Sequence, residues 1–476
     1  MPRKVLIANR SEIACRIAAT CRRLGVATVA VHSEADRGAP HVRAADESVE
    51  IGPPPVRDSY LAIDRVIAAA RSTGCDAVHP GYGLLSEKAA FARAVRDAGM
   101  SFIGPSPEAL DALGDKLRAR GSAIAVGVLP VPGTDGPVAP EDAAGLAERI
   151  GYPLIVKAVG GGGGIGMQVV DNPTGLARAL RSASDRGKAS FADDRVYLER
   201  YVREPRHVEV QILADSHGHV VALGERECTL QRRHQKIVEE SPSPGIDARP
   251  DGAALRAKLL DSACRVARTA GYVGAGTAEF LLTPDGEIFF LEVNARLQVE
   301  HPVTELVTGL DLVEQQLRIA DGQSLDPDLA DLPRRGHAVE ARIYAENPAK
   351  SFAPAPGMIE SLAWPTADVE RGLPARPARP PAIEGWGAPV LRLDSGIESG
   401  MAITPYYDPI LAKMIAWAPD RATALSTLAA GLAATTIAPL VTNVGYLAKL
   451  VSSEEVREGR FDTTFAERFA KKLAAA

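Results

Sequence analysis

The chain has 476 residues, 46% hydrophobic and 24% charged, a soluble globular balance with room for about three domains. A net charge of −6 gives no basic field for nucleic acid or an anionic membrane, and no apolar run approaches the ~20 residues of a membrane span. Five scattered cysteines (15, 21, 75, 228, 264) form neither a disulfide framework nor a zinc pattern, and MPRKVLIANR lacks a signal-peptide core, so a cytoplasmic protein is expected.

Strand-like and helix-like segments alternate from the start. VLIAN (5–9), VATVAV (26–31), CDAVHPG (75–81) and SFIG read as strands. Helical periods cover 11–25, 59–71 and 87–98, and Ser106-Pro107 opens another. The alternation predicts a doubly wound α/β region with a parallel sheet, ending near Gly114. Its first turn, Ala8-Asn9-Arg10-Ser11-Glu12, has none of the glycines of a dinucleotide fingerprint, which argues against NAD or FAD. Beyond a Pro/Gly connector, 141–150 reads as a helix and 152–159 as a strand leading into five glycines, 160–164. Strands are expected at 195–202, 207–215 and 219–227, and a long helix at 251–270. TAEFLL (277–282) and EIFFLEVNAR (287–296) flank Thr-Pro-Asp-Gly and should form an antiparallel hairpin. A helix at 310–320 and a strand at 337–344 follow. Residues 365–389 suggest an irregular excursion, and 409–435 a buried strand and an Ala-rich helix.

Five glycines between strands are expensive to order in a purely structural turn, yet their amides can approach anionic oxygens closely. No Gly-Lys-Ser/Thr follows, so this is not a Walker loop. Lysine is scarce, 12 of 54 basic residues, which singles out Lys157 in its apolar strand and Lys116 and Lys236 in presumed loops. Together with the glycines, three compact ammonium groups suit a polyphosphate. On the expected hairpin, Glu292 and Asn294 share a face, Arg296 continues the row, and Glu279 lies across the ladder. Two carboxylates and a carboxamide are a hard oxygen set for Mg2+ or Mn2+. Just beyond, Glu300 can act as a base and Arg296 can hold an anion.

The chain resembles the biotin carboxylase family of ATP-grasp enzymes nearly end to end. The resemblance is carried by KVLIANRSEIA (4–14), HPGYGLLSE (79–87), GDK (114–116), VKAVGGGGG (156–164) and PRHVEVQ (205–211). It continues in RECTLQRRHQKIVEESPSP (226–244), EVNARLQVEHPVTE (292–305), HAVEARI (337–343) and YYDPILAKMI (406–415). It implies α/β and α+β domains at 1–113, 114–329 (ATP-grasp, with a mobile lid at about 131–203) and 330–476. By resemblance, Lys116, Lys157 and the flap glycines Gly162, Gly163, Gly164 and Gly166 meet ATP phosphates, and Glu199, Arg200, Tyr201 and Val202 line the adenine side. His207, Gln231, His234, Gln298 and Val299 complete the nucleotide site, while Glu279, Glu292 and Asn294 hold the metal. Lys236 and Arg296 match residues that position bicarbonate or carboxyphosphate, Glu300 the base, and Arg342 an arginine near the biotin ureido oxygen.

The implied reaction phosphorylates bicarbonate with ATP and carboxylates N1 of biotin, the first half-reaction of a biotin-dependent carboxylase. No Met-Lys-Met attachment stretch is present, so the biotin carboxyl carrier protein and the carboxyltransferase are expected on separate chains, with a homodimer also implied. Two alternatives are another acyl-phosphate-forming ATP-grasp ligase and a nucleotide-binding protein without catalysis. Three departures from the family stand out: Ser11 in place of glycine, Ile165 in place of the flap arginine, and Gly121 within the helix after Lys116.

Overall fold

The computed structural model describes residues 1–160, 166–370 and 388–475. The first strands are short and apolar because both their faces are covered: Val5, Leu6 and Ile7 are fully buried. Strands β1 (Lys4–Ile7), β2 (Ala27–His32), β3 (Glu47–Glu50), β4 (Ala77–His79) and β5 (Ser101–Phe102) form an all-parallel sheet in the order β3-β2-β1-β4-β5. Helices α1 (Ser11–Arg23), α2 (Ile63–Ser72) and α3 (Ala89–Asp97) cover it, the doubly wound arrangement expected. The exposed edge strand β3, sequence ESVE, has no apolar signature and is held by backbone pairing to β2. Ser11 has φ +59, a left-handed conformation that favours the glycine expected there by resemblance. Its hydroxyl fills space that opposite Gly396 leaves open, where a Cβ would come within 2.2 Å of it.

Helix α4 (Pro107–Gly114) is capped by Ser106, and α5 (Lys116–Ala125) by Asp115, whose carboxylate accepts from the Leu117 and Arg118 amides. Next comes a small layer with its own core. Helix α6 (Ala143–Ile150), strands β6 (Leu154–Ala158) and β7 (Gln168–Val170), helix α7 (Leu176–Phe191) and strand β8 (Val196–Arg200) pack around Val138, Leu154, Val156, Leu180 and Leu198. The sequence reading missed α7. Its apolar stripe, Leu176, Ala179, Leu180 and Ala183, is diluted by twelve other positions rich in Arg, Ser, Asp and Lys.

A nine-stranded sheet forms the centre. Its members are β9 (Arg206–Ala214), β10 (Val220–Arg232), β11 (Gln235–Ser241), β12 (Gly274–Leu282), β13 (Ile288–Asn294), β14 (His337–Tyr344), β15 (Val369–Glu370), β16 (Val390–Ser395) and β17 (Ile410–Ala418). They run in the order β13-β12-β9-β10-β11-β14-β17-β16-β15. Helices α8 (Gly252–Thr269), α9 (His301–Thr308), α10 (Leu312–Ala320) and α11 (Arg421–Ala433) pack against it. The β12–β13 hairpin forms as expected. However, β10 runs past its expected end at 227, and β11 was read as loop. The two join through Arg233 and His234, both left-handed at φ 48 and 65, in a two-residue turn usually served by Asn-Gly. Because β11 pairs with β14, one sheet joins the middle and last stretches of chain. Most of the expected excursion at 365–389 lies outside the described residues. No helix among the described residues is long and apolar enough to cross a membrane.

Two outcomes follow for stability. Gly121 is exposed in α5, and an added methyl group would meet nothing within 4 Å, so Gly121→Ala should stabilise the fold by up to ~1 kcal/mol in thermal unfolding. Glu240 is buried; burial alone would raise its pKa, but Arg421 at 2.6 Å and His337 at 2.7 Å hold it down to about 2. That stabilisation is present above the usual carboxyl range and is lost as pH falls toward 2. Glu240→Gln should therefore lose about 3 kcal/mol at pH 7, and the gap to the wild type should shrink below about pH 4.5.

Candidate active site

Cross-strand partners in a sheet point to the same side. The register therefore places Glu292 opposite Glu279, Glu279 opposite Glu209, and Glu209 opposite Arg226. Farther along, Glu239 faces Glu340, Arg342 faces Lys413, and Lys413 faces Asp394. Two bulges keep this row in phase. One adds a residue to β10 between Glu227 and Leu230; the other adds one to β11 at Ile237, so that Lys236 and Glu239 look the same way. A charged row thus crosses the sheet on one face, half-buried at Glu292 and buried farther in.

Lys236 is its hub. Its ammonium lies 2.7 Å from Glu300 and 2.8 Å from Glu279, and also donates to Glu209. Burial would lower the Lys236 pKa, but these three carboxylates push it well above its ordinary value. Burial likewise opposes ionisation of Glu300, yet Lys236, Arg342 and Arg226 hold that carboxyl well below the usual range. Glu279 is held low, against burial, by Lys236 and by His207, whose Nε2 lies 3.0 Å away. Glu279 also accepts from Asn294 at 2.8 Å and Gln298 at 3.3 Å. Gln231 donates to His207 Nδ1 at 2.6 Å, which fixes the ring.

Directly opposed carboxylates repel. Here Glu279 is neutralised by Lys236 and Glu292 by Lys116, the two ammonium groups flanking the pair. Two opposed carboxylates with Asn294 beside them are a donor set that fits Mg2+ or Mn2+, and His207, Glu209 and Glu279 bring further ligand atoms within 4.8 Å of one another.

The nucleotide-side candidates divide between the central sheet with α5 and the small layer of β6 and β8. Lys116 occupies the first turn of α5 rather than a loop, and Lys236 lies on a strand. Lys157 on β6 pairs with Glu199 on neighbouring β8, and Arg120 from α5 reaches the same carboxylate at 2.9 Å. Glu199 is thus buried in an ion pair; Arg200 is exposed, and Tyr201 and Val202 are half-buried. Gly166 is left-handed at φ 78, whereas Gly162, Gly163, Gly164 and Ile165 fall outside the described residues. His234 sits at the tip of the β10–β11 turn.

Arg296 lies past the end of β13, so it does not extend the strand row as expected. It turns back to donate to Asn294 at 3.1 Å, Gln298 at 3.0 Å and Glu87 at 3.0 Å. The Val299 carbonyl accepts from Lys413 at 2.9 Å, and Arg342 reaches Glu300 at 3.0 Å. Reasoning from residue patterns missed Glu87, Arg120, Glu209, Glu239 and Lys413. Only Glu209 had a local signal, two positions after His207 on one strand.

Three family models match in succession: "Biotin carboxylase, N-terminal domain" over residues 1–110, "Carbamoyl-phosphate synthase L chain, ATP binding domain" over 115–327, and "Biotin carboxylase C-terminal domain" over 340–468. The chain is 46% identical over 472 residues to a biotin carboxylase of Halalkalibacterium halodurans, covering 99% of this chain and 98% of the other. It is 45% identical over 474 residues to the alpha subunit of a mitochondrial methylcrotonoyl-CoA carboxylase of Oryza sativa, spanning 99% of itself but 61% of that subunit. Among solved structures, a biotin carboxylase–beta-gamma-ATP complex from Campylobacter jejuni aligns with a TM-score of 0.89 at 37% identity, covering 98% and 99% of the two chains. The biotin carboxylase domain of Hydrogenobacter thermophilus 2-oxoglutarate carboxylase, with MgADP, ADP and bicarbonate, aligns with a TM-score of 0.89 at 38% identity, covering 98% of each.

Glu292→Gln keeps the shape of the opposed pair but removes one charge. It should raise the Mn2+ concentration needed for half-maximal ATP cleavage by about tenfold or more, with the near-UV circular dichroism retained.

Proposed function

The chain belongs to the biotin carboxylase family of ATP-grasp enzymes, and from that premise we propose how its residues divide the work. The activity is ATP- and bicarbonate-dependent carboxylation of biotin, the first half-reaction of a biotin-dependent carboxylase. The observation that carries the division of roles is the Lys236 ammonium shared by Glu209, Glu279 and Glu300, with Arg342 on the far side of Glu300.

Lys116 and Lys157 neutralise the ATP phosphates, and Gly166 belongs to the flap above them. Glu199 to Val202 border the adenine, with His207, Gln231, His234, Gln298 and Val299 around the nucleotide. Glu279, Glu292 and Asn294 would hold Mg2+ or Mn2+, which when bound offsets charge on the phosphates. Arg296 and Lys236 orient bicarbonate. A bicarbonate oxygen bonds to the γ-phosphorus as the bond to the ADP oxygen breaks, giving carboxyphosphate. Glu300 takes the bicarbonate proton. In the free protein its basicity is suppressed by Lys236 and Arg342. An anion that draws Lys236 to itself both removes a cation and adds a negative charge, and each raises the Glu300 pKa. Substrate entry therefore makes the base. Arg342 then faces the ureido oxygen of biotin; N1 bonds to the carboxyl carbon as that carbon's bond to the phosphate oxygen breaks, and the released phosphate takes the N1 proton.

Biotin arrives on a carrier protein, and the carboxyltransferase is a separate chain; the relatives that include a methylcrotonoyl-CoA carboxylase subunit support this reading. A homodimer, a cytoplasmic setting, the absence of nucleic-acid and membrane partners, and working units at 1–113, 114–329 and 330–476 belong to the same proposal. Among the described residues, none of the site favours a different ATP-grasp ligase or a non-catalytic nucleotide binder; Ile165 lies outside them.

Purified protein given Mg-ATP, labelled bicarbonate and biotin should form labelled carboxybiotin. Failure to do so by folded protein with an active biotinylated carrier would overturn the assignment. Glu300→Gln should lose carboxylation by roughly a hundredfold or more while nucleotide affinity changes little. Equal loss of both would remove Glu300 from the base role.

A further inference from the structure

The charged row continues past Arg342 into two carboxyl groups that this reaction leaves unused. Glu239 and Glu340 are direct cross-strand partners, both fully buried, and no carboxylate oxygen of either has a well-aligned hydrogen bond among the described residues; Glu239 meets Arg342 as an ion pair. The next rung holds Arg342 opposite Lys413. Acid thus faces acid and base faces base, a pattern that repels within each rung and is tolerable only if the rungs neutralise each other. Lys413 is already committed, at 2.9 Å to the Val299 carbonyl and 3.3 Å to Glu12. That leaves the Arg342 guanidinium, 2.5 Å from Glu239 and 3.0 Å from Glu300. Glu300 has Lys236 as well, but Glu239 and Glu340 have only this shared guanidinium beside them, so the acid rung must keep a proton.

Resting on the proposed contact between Arg342 and biotin, we propose that Glu239 is a positioning residue for the carboxyl acceptor. It shares the Arg342 Nη2 with Glu300 and anchors that end of the guanidinium, with Glu340 as its neutral, protonated neighbour. When Arg342 turns from Glu300 to the ureido oxygen, the Glu239 contact stays and sets where the guanidinium points. The surroundings agree. Burial, with Glu300 adding to it and Arg342 and Lys236 opposing, brings the Glu239 pKa up to about 7. Glu340 is pushed well above the ordinary range by burial, against Lys413 and Arg342 but with Glu239 and Glu300 adding to the shift.

Steady-state carboxylation of free biotin tests this in two variants. Glu239→Gln should raise the KM for biotin about tenfold, the effect of losing one charge-assisted contact, while the KM for ATP moves less than about twofold. Because the ionised form of Glu239 is the anchoring one, kcat/KM for biotin should rise through about pH 7 in the wild type, and that limb should vanish in Glu239→Gln. Glu340→Gln mimics a protonated acid and should leave the biotin KM within about twofold. An unchanged biotin KM in Glu239→Gln, or biotin and ATP KM values rising together, would overturn the proposal. So would a large rise in the biotin KM in Glu340→Gln, which still decides the matter if Glu239→Gln fails to fold. Absence of carboxybiotin from the wild-type protein would instead count against the functional reading beneath it.

Discussion

Burying many charges on one face of a sheet is the constraint on which the rest of the structure depends. An unpartnered ion there costs several kcal/mol, so each residue in the row is tolerable only with its neighbours in register. Strand pairing supplies the partners, two bulges correct the phase, and α9 covers the row, with Thr304 accepting from Arg226 at 3.0 Å. The row also ties the first sheet to the last strands. Arg16 of α1 pairs with Glu305 and Asp311, Glu305 with Arg392, and Arg392 with Asp394, nearly all without solvent exposure. Lys413 closes the circuit to Glu12 and fixes the chain just before Glu300. Of the 12 lysines, four (Lys116, Lys157, Lys236 and Lys413) pair with carboxylates in or beside this row. A compact ammonium can sit among three carboxylates where a planar guanidinium cannot.

The small layer of α6, β6, β7, α7 and β8 is built on different terms. Its hydrophobic core is separate from those of the central sheet. Its polar contacts with α5 include the Glu199 carboxylate, gripped by Lys157 within the layer and by Arg120, and an Arg195–Asp115 pair at 3.2 Å. A polyphosphate that draws Lys157 away would weaken one half of that grip and leave the other.

Some of this was legible in the sequence because local pattern and final structure agree. The Thr-Pro-Asp-Gly turn and the two-residue spacing of Glu292 and Asn294 put the opposed carboxylates together, and alternating apolar runs gave the parallel sheet. Strand β11 was hidden because Lys236 sits in a polar Arg-His-Gln context and the extra residue at Ile237 breaks the alternation that marks a strand. Helix α7 was hidden by its narrow apolar stripe. Glu239 and Glu340 give no local sign of meeting, since 101 positions separate them and only the β11–β14 pairing joins them. The role expected of Arg342 came from family resemblance alone, and its place beside Glu300 depends on the same long-range pairing.

Thermal unfolding of Lys236→Met, with and without Mg2+ and ADP, bears most directly on the charge-balanced face. Removing the ammonium leaves Glu209, Glu279 and Glu300 short of a cation, so the free variant should lose about 3–5 kcal/mol. Magnesium with nucleotide should restore much of that loss by supplying positive charge to the same carboxylates, and should stabilise the variant more than the wild type. A free variant as stable as the wild type, or a loss that Mg2+ and ADP leave untouched, would contradict a face held together by shared charge.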